Sequence, residues 1–390
     1  MVATFSRGLD NSREAYADGG MYLIGLYVHI PFCVRKCAYC GFYSIPLQPG
    51  AIESYIDAVL VECKAYGGMS FHTMFFGGGT PSILGADNLM RLVDGLRGAF
   101  DLSQLEESTI EANPDSATEE TLESALEAGF SRISIGVQSL SDGELKSVGR
   151  IHTAGQAVAA IDLAKRIGFR NISADLIVGL PGQTWDSLHG SIGTLISLGI
   201  SHLSLYCLSL DYGTLLAQNP PRNLPSDDMQ ADLFEQARAY LSDKCFVHYE
   251  ISNFALSGHE CLHNLNYWRG GEYLGLGPSA ASHLGGKRFK NRVDLKSYLE
   301  APIGGIEEVE VLSPEEKAAE EAMLRLRLLE EGLGVAEFTR RHGQKNVCRL
   351  LTRLDTLSRE GSLLFDGAKY RLEPSLVLTS NPILARVLQD

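Results

Sequence analysis

Short apolar runs alternate with longer amphipathic stretches between residue 22 and about residue 243 of this 390-residue chain. The short runs have the length and the β-branched or aromatic content of strands. The longer stretches repeat apolar residues every three or four positions, as helices that pack on a sheet do. The alternation therefore predicts strand–helix units around a parallel sheet. The predicted strands cover residues 22–29, 72–76, 108–111, 132–137, 171–178 and 202–207.

Six such units predict an α/β fold with a partial (β/α)6 barrel, because a closed barrel of this type needs eight units. The regular alternation stops after residue 243. In barrels built from parallel strands, the chemistry takes place where the carboxyl ends of the strands meet. The polar motifs described below fall at those ends, so we expect the functional site there.

The remaining chain divides by composition into three further segments. We expect residues 1–20 to form a flexible polar extension before the barrel of residues 21–243. Residues 244–312 are expected to form a glycine-rich connecting segment. From Pro314 a helix is expected to about residue 331, followed by a helix with one apolar face. Asp366-Gly367 between apolar runs is a hairpin signal. Residues 313–390 thus predict a C-terminal α+β, winged-helix-like domain.

The balance of charge argues against nucleic acid as a partner. The chain has 34 Lys and Arg against 48 Asp and Glu, a net charge of −14, which repels phosphate backbones and anionic lipids. Residues 335–390 carry nine basic and six acidic side chains without a basic stripe. No apolar run is long enough to span a bilayer and no signal peptide is recognisable, so we expect a cytoplasmic protein with at most peripheral membrane association.

Three cysteines stand close together just after the first predicted strand, in the spacing Cys33-x3-Cys37-x2-Cys40. Three thiolates on one loop suit a 4Fe-4S cluster whose fourth iron has no protein ligand. Zinc is the alternative, but structural zinc needs four ligands, and the next cysteine, Cys63, lies on a predicted helix. The cysteines outside the loop are interpreted as small buried apolar residues. They are Cys63, Cys207, Cys245, Cys261 and Cys348.

Polar or glycine-rich motifs follow several of the predicted strands. The run from Gly77 to Pro81 lets the backbone approach a ligand and leaves N–H groups free, although a tight turn would use the same residues. Glu111 and Gln138 end the third and fourth strands, and Asp175 lies in the fifth. We expect these side chains to face the barrel mouth, although ordinary strand-end solvation is an alternative. Arg150 is expected to pair with a carboxylate there.

The cysteine loop followed by the glycine motif resembles the radical S-adenosylmethionine superfamily. The order of all motifs, from about residue 22 to the C-terminus, is similar to the oxygen-independent coproporphyrinogen III oxidase family. This resemblance implies a 4Fe-4S cluster on the three cysteines, with S-adenosylmethionine bound to the iron that has no protein ligand. One electron from the cluster would then split S-adenosylmethionine and give a 5'-deoxyadenosyl radical. It also implies which residues contact S-adenosylmethionine. Among them, Tyr39 is expected to act through its backbone, and Ser209 and Ala281 are weaker matches. They are Tyr27, Tyr39, Gly78, Gly79, Thr80, Glu111, Gln138, Arg150, Asp175, Ser209 and Ala281.

Two further features resemble the HemW-type heme chaperone branch of that family. Phe42 stands where the oxidases have another cysteine, and the segment from His263 to Trp268 reads His-Asn-x-x-Tyr-Trp. An imidazole ligates heme iron, and Tyr267 and Trp268 offer flat apolar surface to a porphyrin. Two alternatives stay open: a buried structural histidine, and a segment that clamps the barrel to the C-terminal domain.

The resemblance implies a heme chaperone that binds heme and delivers it to hemoproteins such as respiratory enzymes. An electron donor such as flavodoxin or ferredoxin is a further implied partner. A radical S-adenosylmethionine methyltransferase is an alternative function, and coproporphyrinogen oxidation is less favoured because of Phe42. Catalytic residues are not assigned, and whether S-adenosylmethionine is cleaved stays open.

Overall fold

The computed structural model describes residues 24–389. The predicted extension of residues 1–20 and the start of the first predicted strand lie outside the described residues. The strands are β1 (Gly25–Ile30), β2 (Phe32–Cys33), β3 (Ile45–Pro46), β4 (Thr73–Gly78), β5 (Glu107–Ala112), β6 (Arg132–Gln138), β7 (Asn171–Val178), β8 (His202–Cys207), β9 (Val247–Glu250), β10 (Asn253–Ala255), β11 (Tyr273–Leu276), β12 (Ala281–Leu284), β13 (Lys287–Asn291), β14 (Ile306–Val311), β15 (Leu333–Gly334), β16 (Leu363–Phe365) and β17 (Lys369–Leu372).

The helices include every amphipathic stretch that the sequence predicts between the six barrel strands. They are α1 (Ala51–Cys63), α2 (Ala86–Ala99), α3 (Glu119–Glu127), α4 (Asp142–Ser147), α5 (Ala154–Ile167), α6 (Trp185–Ser197), α7 (Leu215–Gln218), α8 (Asp227–Asp243), α9 (Leu262–Trp268), α10 (Leu295–Glu300), α11 (Pro314–Arg325), α12 (Val335–His342), α13 (Gln344–Arg359) and α14 (Ser380–Leu388). No helix within residues 24–389 has the length and apolar character needed to cross a bilayer.

The predicted parallel strands are confirmed: β1, β4, β5, β6, β7 and β8 lie side by side in this order, and all neighbours among them are parallel. The order does not close on itself, which agrees with the predicted partial barrel. Successive side chains of β1 alternate between two environments. Leu26, Val28 and Ile30 are completely buried beneath the helices, whereas Tyr27 and His29 point into the barrel.

The sheet is wider than the sequence predicts. Six strands from residues 247–311 extend it to twelve, with β11 parallel to β1, then β12, β13 and β14 antiparallel, and with β10 and β9 antiparallel beyond β8. The boundary expected between residues 243 and 244 therefore falls within one sheet. These strands escaped prediction because they are three to six residues long and are joined by tight turns, such as Gly285-Gly286.

Helix α9 lies against the amino-terminal ends of three barrel strands. The ring of His263 packs on Gly25, the first residue of β1, and contacts the hydroxyl of Thr73, the first residue of β4. The backbone N–H of His263 donates to Glu107, the first residue of β5. The segment with the His-Asn-x-x-Tyr-Trp sequence thus lies at the end of the barrel opposite to the cysteine loop.

The C-terminal residues build a separate core of helices α11 to α14 and the three-stranded sheet β15-β17-β16. The predicted hairpin is confirmed: β16 and β17 are antiparallel, and Gly367 takes φ +92° in the turn between them. The predicted apolar helix face is also confirmed, because Val347, Leu350, Leu354 and Leu357 of α13 are all buried. This combination of helices and a small hairpin sheet is winged-helix-like.

Helix α11 ends at Arg325, earlier than the predicted residue 331. The chain leaves the helix because Leu328 bridges to Glu250 of β9 and the N–H of Leu329 donates to the carbonyl of Tyr249. Leu328 is buried in a small apolar cluster with Tyr249 and Leu265 of α9. These contacts attach the C-terminal core to the barrel.

We expect Leu328→Ala to lower the free energy of unfolding by about 2 to 5 kcal/mol, because it empties a buried site between the two cores. Leu364→Ala is the matched control, since Leu364 is 40% exposed whereas Leu328 is 1% exposed. Urea unfolding followed by circular dichroism measures both. Equal losses for the two variants would contradict the attachment described above.

Candidate functional site

The cysteine loop leaves the barrel at the carboxyl end of β1 and is closed at its base. Strand β2 pairs with β3 on the far side of the loop, and the N–H of Leu47 donates to the carbonyl of Cys33 at 3.0 Å. The middle is also held, because the N–H of Ala38 donates to Val148 and its carbonyl accepts from Leu216, at 3.1 Å and 2.8 Å. The backbone around the cysteines is therefore positioned by three other segments.

All three loop cysteines are free thiols, with Cys33 buried and Cys37 and Cys40 partly buried. Burial raises the pKa of the Cys40 thiol, and the neighbouring Cys37 and Cys33 raise it further. Within residues 24–389 no group of three or more His, Cys, Asp or Glu side chains is already arranged as a metal site. The three cysteines are thus together on one loop, but their side chains are not converged.

Donors reach two of the three sulfur atoms. The hydroxyl of Thr80 lies 3.5 Å from the Cys33 sulfur, and the guanidinium of Arg150 lies 3.5 Å from the Cys37 sulfur. Hydrogen bonds of this kind stabilise negative charge on sulfur and tune iron–sulfur clusters. Three free thiols on one loop with two donors aimed at them fit the predicted 4Fe-4S cluster.

The glycine motif at the end of β4 lies directly against the start of the cysteine loop. The N–H of Gly79 donates to the carbonyl of Ile30 at 2.7 Å. A Cβ on Gly79 would stand 2.5 Å from the carbonyl oxygen of Phe32 and 2.8 Å from that of Ile30, so only glycine allows this approach. Gly78 has φ +107°, and its N–H donates to Glu111 at 3.2 Å.

Two carboxyl groups, those of Glu111 on β5 and Asp175 on β7, lie inside the barrel. Burial raises the pKa of Glu111 to about 8, and the negative charge of Asp175 contributes to the rise. Burial also raises the pKa of Asp175, although hydrogen bonds from Ser204 and Ser134 oppose the rise. A cation placed between these groups would favour their ionised forms.

Asn113 connects predicted site residues but was not itself predicted. Its side-chain amide donates to the Thr80 hydroxyl at 2.9 Å, and its oxygen accepts from Arg150 at 2.9 Å. Arg150 also donates to the carbonyl of Gly136, and its Nε is buried without a partner among the described residues. Asn113 directly follows β5 and precedes a proline, a position typical of strand-end site residues, and that signal was available from the sequence.

Gln138 ends β6 in an uncommon backbone conformation with φ +65°. The pairing of β6 with β7 shifts register between Ile135 and Gln138, which marks a bulge at this point. Strained non-glycine residues of this kind often occur at functional sites. The strain supports the prediction that Gln138 has a role at the barrel mouth.

Tyr27 projects into the barrel, where its hydroxyl lies 3.0 Å from Nδ1 of His29. His29 in turn donates through Nε2 to the carbonyl of Tyr43 in the cysteine loop, at 2.9 Å. Burial lowers the pKa of His29, and both of its ring nitrogens have protein partners. His29, which was not predicted as a site residue, thus links Tyr27 to the loop.

Of the remaining predicted contacts, Tyr39 lies beside Cys37, whereas Ser209 and Ala281 lie outside the group described above. The Tyr39 side chain is partly buried in an apolar cluster with Val148, and burial raises the pKa of its hydroxyl. Ser209 is exposed after β8 and donates to Asp211, which packs on Gly41 of the cysteine loop. Ala281 is exposed at the start of β12, and its described contacts are with β11 and β13.

His263 is 1% exposed and its two ring nitrogens contact protein hydroxyls. Nδ1 lies 2.8 Å from the Thr73 hydroxyl, Nε2 lies 2.9 Å from the Tyr267 hydroxyl, and the ring stacks on Phe75. Burial lowers its pKa to about 3. This geometry is that of a buried structural histidine, the alternative given above. To ligate iron, the ring would have to give up its contact with the hydroxyl of Thr73 or Tyr267.

Tyr267 and Trp268 line a cavity of about 180 Å³ between α9 and the strands β8 to β10. Burial raises the pKa of Glu250 in its wall to about 7. The guanidinium of Arg327 lies 5.3 Å from the centre of the Trp268 ring. The motif helix thus also serves as the predicted clamp to the C-terminal core. The lining residues are Tyr206, Glu250, Ser252, Asn253, Asn264, Tyr267 and Trp268.

We expect Gly79→Ala to displace the base of the cysteine loop, because its methyl group would overlap two backbone carbonyl oxygens. The variant should lose most of the iron that the wild type retains after anaerobic reconstitution. Gly98→Ala in α2 is the control, since nothing lies within 4 Å of a Cβ at that position. Iron and sulfide analysis provides the measurement, and wild-type iron in Gly79→Ala would disprove the close approach.

Comparison with known proteins identifies the family of the chain. The radical SAM superfamily matches residues 27–195. Heme chaperone HemW of Lactococcus lactis is 38% identical over 77% of this chain and 80% of that protein, and HemW of Bacillus subtilis is 36% identical over 82% and 86%. The solved coproporphyrinogen III oxidase HemN of Escherichia coli, a radical SAM enzyme, shares the fold with a TM-score of 0.82, at 23% identity over 95% of this chain and 91% of that one. The chain therefore belongs to the HemW family of the radical SAM superfamily.

Proposed function

We propose that this protein is a heme chaperone, which binds heme and delivers it to hemoproteins. The observation that carries the proposal is the 38% identity, over most of both chains, to a protein named heme chaperone. The likeness to coproporphyrinogen III oxidase, at 23% identity, supports the shared fold alone. The proposal therefore includes no coproporphyrinogen oxidation by this chain.

The proposed cofactors are a 4Fe-4S cluster on Cys33, Cys37 and Cys40 and S-adenosylmethionine beside it. When bound, the cluster supplies an electron and an iron corner without a protein ligand. Thiolate ligands require a reducing compartment, which supports a cytoplasmic location. The two donors that reach the sulfur atoms, Thr80 and Arg150, stabilise the thiolate charge in this arrangement.

The chain's own residues suit a cationic cofactor at the mouth. Glu111 and Asp175 provide two carboxyl groups whose negative charges interact, and a positively charged sulfonium compound would compensate those charges. Because Gly78 and Gly79 have no side chains, the end of β4 packs closely on the His29 ring and on the carbonyl oxygens of Phe32 and Ile30. Asn113 holds Thr80 and Arg150 in fixed positions relative to the loop.

For heme we propose a place at α9, with Tyr267 and Trp268 against the porphyrin and His263 as a ligand. The cavity of about 180 Å³ beside these rings is smaller than a porphyrin, so heme entry requires α9 to shift. The shift breaks the contact between His263 and the hydroxyl of Thr73 in β4. Heme binding is therefore coupled to a rearrangement of the clamp.

The function is tested on the whole chain after anaerobic reconstitution. Titration with hemin should give a saturable Soret shift, and addition of a heme-free b-type cytochrome should move the heme to that protein. Incubation with coproporphyrinogen III, S-adenosylmethionine and a reductant should release no carbon dioxide. Absence of saturable heme binding would count against the chaperone function.

S-adenosylmethionine binding should strengthen as the pH rises through the pKa of Glu111, about 8. Below this pKa the carboxyl is protonated, so a cationic ligand must displace a proton, whereas above it the carboxylate is already charged. Calorimetry between about pH 6.5 and 8.5 should show a severalfold fall in Kd together with proton release at the lower pH. Glu111→Gln should bind S-adenosylmethionine more weakly. The pH dependence of binding that remains in this variant is the part that comes from the amino group of S-adenosylmethionine.

Tyr267→Phe should tighten heme binding severalfold, because it keeps the aromatic face and removes the hydroxyl that holds Nε2 of His263. His263→Ala should abolish the Soret shift and lower the free energy of unfolding by about 2 to 4 kcal/mol, through a cavity and two lost hydrogen bonds. Absorbance titration and urea unfolding measure these effects.

Thr73→Val serves as the control for the second ring contact, since it releases Nδ1 without changing Tyr267. A normal Soret shift in folded His263→Ala would assign this histidine a purely structural role.

A further inference from the structure

The cavity beside α9 contains a buried acceptor that the surrounding protein does not satisfy. Glu250 of β9 and Asn253 of β10 line this cavity and are 2% and 3% exposed. The Asn253 side-chain amide donates to Glu250, but its Oδ1 is buried without a hydrogen-bond partner among the described residues. Buried polar atoms of folded proteins are nearly always paired. The Oδ1 of Asn253 is therefore an acceptor for an N–H donor inside the cavity.

The Glu250 carboxyl group in the same wall is only partly compensated by its neighbours. It accepts from the N–H of Ser252 at 3.1 Å and from the amide of Asn253. The side chain of Trp268 also hydrogen-bonds to it, and Arg327 adds a positive charge nearby. Burial nevertheless raises the pKa of Glu250 to about 7. A cation inside the cavity would favour the ionised form of this carboxyl group.

Aromatic side chains form much of the remaining cavity wall. They belong to Tyr206, Tyr267 and Trp268, and Tyr206 is 45% exposed, so its ring is accessible. Aromatic faces attract organic cations, and planar cations such as guanidinium also stack on them. A planar cation can in addition give two parallel N–H bonds to one carboxylate. The cavity volume of about 180 Å³ is sufficient for such a ligand, because a cavity of about 150 Å³ already holds benzene.

We propose that this cavity binds a small planar organic cation of the amidinium or guanidinium class. Glu250 supplies the opposite charge, Asn253 accepts one N–H through its Oδ1, and the aromatic walls cover the planar faces of the ligand. An anion would be repelled by Glu250. An apolar ligand would leave the Oδ1 of Asn253 buried without a partner.

Occupation of the cavity has a consequence for α9. This helix supplies Tyr267 and Trp268 to one side of the cavity, whereas Glu250 and Asn253 come from the sheet. A cation that contacts both sides stabilises the present position of α9 and opposes the shift that heme entry requires. This consequence rests on the proposed function, whereas binding of the cation itself needs neither heme nor the cluster.

The test uses the full chain and three probes of nearly the same size and shape. Benzamidine is a planar cation at neutral pH, benzamide is its neutral counterpart and benzoate is its anionic counterpart. Calorimetry measures the affinity of each probe. Because the chain has two tryptophans, a Trp185→Phe background assigns any change of fluorescence to Trp268.

Benzamidine should bind at one site with a Kd below about 1 mM, an ordinary affinity for a ligand of this size, and should change the Trp268 fluorescence. Benzamide should bind about tenfold more weakly, and benzoate should not bind. Glu250→Gln should weaken benzamidine binding about tenfold, because it removes a charge-assisted hydrogen bond. It should leave benzamide binding nearly unchanged. Glu300→Gln, at an exposed position of α10, is the matched control and should bind as the wild type does.

The affinity for benzamidine should rise severalfold as the pH rises from about 6 to 8, through the pKa of Glu250. Below this pKa the carboxyl group is protonated and the cation has to displace a proton. Burial raises the pKa of the nearby Tyr206 and Tyr249 hydroxyls, so they stay neutral in this range, and benzamidine stays protonated. The dependence should therefore disappear in Glu250→Gln.

Equal affinity for benzamidine and benzamide would overturn the proposal, as would absence of benzamidine binding or unchanged binding in Glu250→Gln. The comparison of the probes in the wild type decides the question even where circular dichroism shows that the variant is unfolded. Saturating benzamidine should also raise the Kd for hemin severalfold. An unchanged hemin Kd contradicts the link to α9 alone, and absence of hemin binding contradicts the proposed function instead.

Discussion

The mouth of the barrel depends on the close approach of two backbone segments. The glycine motif after β4 lies within hydrogen-bond distance of the chain that leads from β1 into the cysteine loop, as the Gly79 to Ile30 bond shows. This approach positions Thr80 so that its hydroxyl contacts the Cys33 sulfur, and the side-chain amide of Asn113 donates to the same hydroxyl. A side chain at Gly79 would separate these elements, so one missing Cβ underlies the arrangement of donors around the sulfur atoms.

The barrel has different environments at its two ends. At the carboxyl end, the Glu111 carboxyl group of the candidate cofactor site is buried near a second negative charge, that of Asp175. The single hydrogen bond from the N–H of Gly78 does not offset these two effects, so the pKa of Glu111 is raised. At the amino-terminal end, α9 closes the strands with a histidine that contacts two hydroxyl groups. The polar network from Tyr27 through His29 to Tyr43 runs inside the barrel toward the cysteine loop.

Much of the fold could be predicted from the sequence because the six parallel strands are apolar and separated by long amphipathic helices. The outer strands β9 to β14 could not, since short antiparallel pairs gain their stability from neighbours that are distant in the chain. The same limit applies to the site. Local motifs indicated the cysteines and glycines, whereas the surroundings of His263 depend on Thr73, 190 residues away. Asn113 had a local signal, but its two contacts are tertiary.

The attachment of α9 to the C-terminal core has a practical consequence. Arg269 of the segment after α9 forms a two-pronged ion pair with Glu331, and Leu328 fills the apolar side of the helix. A shortened protein that ends before residue 313 would leave that side of α9 open to water. Truncation therefore disturbs α9 itself, and point substitutions within the intact chain are the appropriate way to test the separate roles of the two cores.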